Sequence, residues 1–219
     1  LSDVGGTATL SADVDVTTLT VGNTVLNVAF TGNGSSVVDA VSFANDGTLI
    51  LGTSGGTQTY NGGIDTTGGG EGFGVGNTIT LNGTIATSND IVVLGSVTLA
   101  SATTIDTNAT DGTGDITIGA VTGDNSALTL STGNNITGAD VTASGAISGL
   151  GNLTLVDVGG TATFSNNVAA AALSAANTVA NITFTGGTNT FSAASTLAND
   201  GTLTFGNATG DSFTFNGGL

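Results

Sequence analysis

Sixteen acidic side chains are the only groups in this sequence suited to holding a cation or moving a proton near neutral pH, because Lys, Arg, His and Cys are all absent. Carboxylates and carbonyls are hard oxygen ligands, so calcium is the one cofactor this composition invites. The densest acidic run is Asp106-Thr-Asn108-Ala-Thr-Asp111-Gly-Thr-Gly-Asp115. Asp106, Asn108, Asp111 and Asp115 are its candidate calcium ligands. The run departs from an acidic calcium loop by one extra residue before Asp-Gly and by the lack of a closing glutamate. The same residues also spell an acidic turn, since Asp and Asn are turn formers. A second stretch, 68–76, has the glycines of a calcium nonapeptide repeat without its aspartate.

Glycoside hydrolysis would need two facing carboxylates. Asp111 with Asp115 and Asp13 with Asp15 are close in sequence, but no Arg or Lys exists to clamp an acidic sugar. The chain reads as a non-enzyme, with a polysaccharide-acting β-helix as the alternative. A net charge of −16 excludes nucleic acid and anionic membrane surfaces as partners, because nothing can neutralise a phosphate. Structural zinc, haem and Ser–His chemistry lack their ligands and bases. No apolar run approaches the ~18 residues of a membrane span.

The elements that must position these residues follow from a long internal repeat. LSDVGGTATLSADV at the start returns as LVDVGGTATFSNNV from Leu155, and FANDGTLILG returns as LANDGTLTFG. Half of the first 52 positions are identical at an offset of 154, and one inserted residue separates Gly52/Gly206 from Tyr60/Phe215. Residues 1–154 thus form one repeat and 155–219 open the next, equivalent to 1–64, with no linker. Leu10, Val37, Leu51 and Tyr60 become Phe164, Phe191, Phe205 and Phe215, as expected of an inward row with slack. Asp3/Asp157 and Asp46/Asp200 recur, whereas Asp13, Asp15 and Asp39 become Asn167, Ala169 and Ala193. A ligand set would not be lost so freely, so the recurring pairs read as turn or cap chemistry.

Short alternating runs such as TQTY, TITL, DITIGAV, ALTL, NITF and SFTF, broken by Asn-Gly and Asp-Gly, predict an all-β chain of three- to seven-residue strands. Residues 169–177, AAAALSAAN, look helical but align with β-branched DVTTLTVGN at 15–23, so both predict strand. Tandem antiparallel sandwiches would repeat every ~100 residues around larger aromatics. A parallel β-helix (a β-solenoid) with coils of about 20–25 residues fits better. Thr-x-Thr recurs at 7–9, 18–20, 57–59, 78–80, 161–163, 188–190 and 202–204. An ice-binding array needs one constant coil period, and this spacing is irregular, so strand propensity accounts for the threonines.

Runs such as DVGGTATFSNNV, ANDGTLTFGN and SFTFNGGL resemble the β-strand-repeat regions of large secreted bacterial surface proteins, namely autotransporter passengers and filamentous-haemagglutinin-like exoproteins. The resemblance implies a right-handed parallel β-helix, export to the cell surface, and a role as filament, stalk or adhesin shaft. Surface glycans or other cells would be its partners, and a calcium-binding solenoid of an exported adhesin or toxin is the alternative. Leu1 and Leu219 correspond to Leu155 and Ile64, which lie inside continuous runs. Both ends therefore read as cuts through the array, to be covered by further repeats or by a head-to-tail copy of the chain.

Overall fold

A computed structural model describes residues 1–67, 78–133 and 136–219; the glycine-rich run at 68–76 lies outside the described residues. Among the described residues there is no helix, and every strand pairing is parallel. The chain is a parallel β-solenoid, and the antiparallel sandwich alternative is excluded.

The strands fall into three rows that each coil visits in order. The first row runs from Thr7–Leu10 through Asn27–Phe30 and Leu49–Leu51 to Ser212–Phe215, ten strands in all, which makes nine turns from first to last. The second row includes Asp15–Val16, Ser36–Val37, Thr57–Tyr60, Leu128–Ser131 and Thr196–Leu197. It shares a fifteen-stranded sheet with the first. The third row is the eight-stranded sheet from Val41–Ser42 to Leu203–Phe205. At ~4.8 Å per coil, nine turns make a stack about 43 Å long.

Alternation decides which side chains enter. In strands such as Ile116–Ile118 and Asn181–Phe184 the apolar positions are buried and the threonines between them face out. Parallel pairing then places like on like. Val92, Ile116, Val141, Ala162 and Ile182 form one buried column, and Leu94, Ile118, Ala143, Phe164 and Phe184 another. Phe164 and Phe184 stack at 4.9 Å with Phe205 next at 5.9 Å, while Phe191 and Phe213 meet Phe184 edge-on. The larger rings of the second repeat copy thus pack against one another.

Several expectations need correction. The coils are not of one length: the coil that brings Ile79 to its partner Val97 is short, and the one that brings Leu49 to Ile79 is far longer. Strands outgrow their expected length where Ile79–Thr87, Val97–Asp106, Ile147–Val156 and Val168–Ala175 continue from the first row into the second. Val97–Asp106 does so through an irregularity between Leu99 and Thr103, the extra residues a corner requires. DITIGAV, read as one strand, divides into Ile116–Ile118 and Val121–Thr122 on different sheets. The alanine-rich 169–177 is strand over Val168–Ala175, but its partner at 15–23 is strand only at Asp15–Val16 with a bridge at Val21.

The two repeat copies keep the same internal registers. Thr7 pairs with Asn27 as Thr161 pairs with Asn181, and Val28 with Leu49 as Ile182 with Leu203. Yet Thr7–Leu10 lies in the first row of the first coil, and Thr161–Phe164 in the third row of the seventh. One repeat is therefore six and two-thirds turns, and the same sequence serves different rows.

The Phe stack generates a direct prediction. Phe184→Ala removes the ring that four other phenylalanines touch, and should cost about 3–5 kcal/mol in urea unfolding.

Candidate functional site

The aspartates of the acidic run each spend a carboxylate oxygen on a main-chain N–H, and Asn108 spends its amide nitrogen on a main-chain carbonyl. Asp106 ends the strand Val97–Asp106, and its Oδ1 accepts the Asn108 N–H at 3.0 Å and the Ser131 hydroxyl at 3.2 Å. Asn108 adopts a left-handed φ of 46° and donates from Nδ2 to the Thr87 carbonyl at 3.1 Å. Asp111 is exposed, and its Oδ1 accepts the Thr113 hydroxyl at 2.6 Å and the Thr113 N–H at 3.0 Å. The Thr113 side chain first, then its N–H, holds the Asp111 carboxyl below the usual carboxylate range. That favours the folded turn above the ordinary pKa, and the contribution vanishes as pH falls through the lowered one. Asp115 reaches across to the next coil and accepts the Asp140 N–H at 2.8 Å.

The structure thus places Asp106, Asn108, Asp111 and Asp115 along the connection from Val97–Asp106 to Ile116–Ile118, each with its own hydrogen-bond partner. Among the described residues no group of three or more acidic side chains is placed to hold a metal ion. Of the other candidate pair, Asp13 accepts the Gly34 N–H at 2.8 Å. A cavity of about 220 Å³ beside Ala40, Gly62, Ile64 and Ile91 carries a single carboxylate, Asp65, whose Oδ1 takes the Thr67 N–H at 2.7 Å.

What the acids and amides do instead is join coils. Asp13 reaches a main-chain N–H one coil ahead, and so do Asn27 to Thr48, Asp140 to Thr161, Asn167 to Thr188 and Asn181 to Thr202, at 2.6–2.9 Å. Asp13 and Asn167 are repeat equivalents, and only an acceptor oxygen is used, which explains why aspartate and asparagine interchange there. The recurring Asp3 and Asp157 share a left-handed φ, 54° and 52°, and donate their N–H to Thr24 and Thr178 on the next coil. Turn chemistry, as the repeat comparison suggested, is their role. The hooks between coils escape local motif reading because each partner lies a whole coil away; the shared Asn27/Asn181 position is the available signal.

Tyr60 is the only tyrosine, fully buried, and its hydroxyl donates to Gln58 Oε1 at 3.0 Å while Gln58 Nε2 donates to the Phe30 carbonyl at 2.6 Å. Burial pushes the phenol pKa well up.

The outward threonines stack in register despite their irregular sequence spacing. In the second row Thr57, Thr84, Thr104, Thr129, Thr154, Ser174 and Thr196 are successive partners. In the third, Thr117, Thr142, Thr163, Thr183 and Thr204 are. Varying coil length is absorbed between strands, so the premise that an irregular period prevents an array does not hold.

Comparisons with protein-family models, curated proteins and solved structures returned no match.

Two outcomes test these assignments. Asn181→Ala should lose about 1 kcal/mol by removing a coil-joining acceptor, whereas Asn181→Asp, which keeps the oxygen, should lose less, both read by urea unfolding. Tyr60 is the only side chain in the sequence that titrates between neutrality and strong alkali. Its raised pKa makes the folded state hold its proton after the unfolded chain has lost it. Stability should therefore be level up to pH ~10 and then fall by about 1.4 kcal/mol per pH unit, with phenolate absorbance appearing only on unfolding.

Proposed function

We propose that this chain is a non-enzymatic structural stretch of a long, repetitive, secreted bacterial surface protein. It serves as the shaft of an extracellular filament, stalk or adhesin. The observation that carries this reading is that the sequence recurs at an offset of 154 with no break in the stack: the strand Ile147–Val156 enters the second copy, and its residues Leu153–Leu155 pair in register with the coils on both sides. A repeat that recurs without a structural joint can be added without one. The likeness to autotransporter and filamentous-haemagglutinin-like repeats points the same way. In this reading surface glycans or other cells are met by neighbouring parts of the protein, and the shaft sets their distance.

The test is length. Chains of two, three and four 154-residue repeats should give rods whose length in electron micrographs grows by about 32 Å per repeat, from six and two-thirds coils at ~4.8 Å. Growth in width instead of length, or globular particles, would remove the shaft reading.

Charge supplies a second expectation. Sixteen negatives with no basic side chain repel one another and only dissolved ions screen them. Raising salt from ~10 mM to ~1 M shortens the screening length from about 30 Å to about 3 Å, so the thermal midpoint should rise across that range. A level midpoint would contradict it.

A further inference from the structure

We propose that the second row of strands is an ice-binding face. Its central outward position is a hydroxyl on seven consecutive coils, from Thr57 to Thr196. The 154-residue repeat does not account for it, because its equivalents of Ser174 and Thr196 are Thr20 and Ser42, which lie outside the row.

Two further observations bear on what this row does. None of these seven hydroxyls makes a hydrogen bond within the described residues, whereas Thr87, Thr107 and Thr132 elsewhere do. The row is therefore not a ladder of threonines bonded to each other for stability. Its hydroxyls are left to water. The second observation is charge: the second-row strand residues paired from Thr57 to Thr196 include one carboxylate, Asp106, in a chain that carries sixteen acidic residues.

A row of outward hydroxyls and methyls repeating at ~4.8 Å between coils offers water a fixed line of sites. That spacing is close to an oxygen repeat of hexagonal ice, so crystalline water is the occupant that matches it. Each threonine supplies a hydroxyl that can take a lattice position and a methyl that keeps neighbouring water from solvating the surface as a liquid. The buried column beneath, Ile85, Ile105, Leu130 and Leu155, holds the row rigid.

The experiment uses the intact 219-residue chain and ice itself. The chain should hold a seed crystal unmelted and ungrown over a gap below the melting point, facet it, and concentrate in slowly frozen ice. Thr104→Lys with Thr129→Lys should abolish all three effects, while Thr122→Lys, exposed in the first row, should leave them intact. Thr104→Val with Thr129→Val keeps the branched shape and removes only hydroxyls. It should weaken the effects with unchanged circular dichroism, which covers the case in which the lysine variant unfolds. Exclusion of the chain from ice would overturn the proposal, as would full activity in a folded Thr104→Lys/Thr129→Lys variant. Dimerisation through this row, or adsorption to crystalline cellulose or chitin without any effect on ice, would overturn it too and assign the row to those occupants.

Discussion

A chain with sixteen carboxylates and no basic side chain must draw its cohesion from groups without charge. Here it comes from parallel main-chain pairing between successive coils, which fixes each paired strand residue over its partner in the turn below. Once that registration is imposed, apolar residues at alternate positions fall into continuous columns, and burial of each column reinforces the pairing that formed it. The same registration aligns the outward residues, so surface and core are two readings of one constraint. Its demands appear also where the chain bends: Gly52 has a φ of 78°, and a Cβ there would collide with the Asn82 carbonyl of the next coil.

The acidic residues take their meaning from this arrangement. Side-chain oxygens of Asp13, Asp115, Asp140 and Asn181 each receive a main-chain N–H from the following coil. These bonds satisfy donors at corners, where sheet pairing is interrupted. A carboxylate so used remains charged and repels its neighbours, but it does not need a cation to be satisfied. In the calcium-like run 106–115, Asp106, Asp111 and Asp115 face different N–H groups.

Much of the architecture was legible in the residues because strand alternation and turn punctuation are local. The parallel fold followed from short strands, small buried residues and a long repeat, and the strand character of Val168–Ala175 followed from its β-branched equivalent. Coil length was not legible. It depends on how many residues each corner consumes, and strands such as Val97–Asp106 turn a corner without any glycine or asparagine to mark it. The threonine rows were hidden for the same reason, since constant spacing in space required unequal spacing in sequence. At the candidate site, residue types were read correctly as acceptors, but the partners of Asp13 and Asp115 lie on the next coil, beyond any local motif. The repeat of six and two-thirds turns was equally invisible, because it emerges only from summing every coil.

The claim that all else depends on is that sequence-distant residues are separated by coil count alone. Electron-spin distances between labels on single cysteine pairs test it directly, because the chain has no cysteine of its own. Thr57→Cys with Thr196→Cys spans six rungs and should give about 29 Å, and Thr84→Cys with Thr196→Cys spans five and should give about 24 Å. Distances that step by one coil spacing per rung are the predicted result. Distances that do not change with rung number, or that are broad and unrelated to it, would contradict the stacked solenoid.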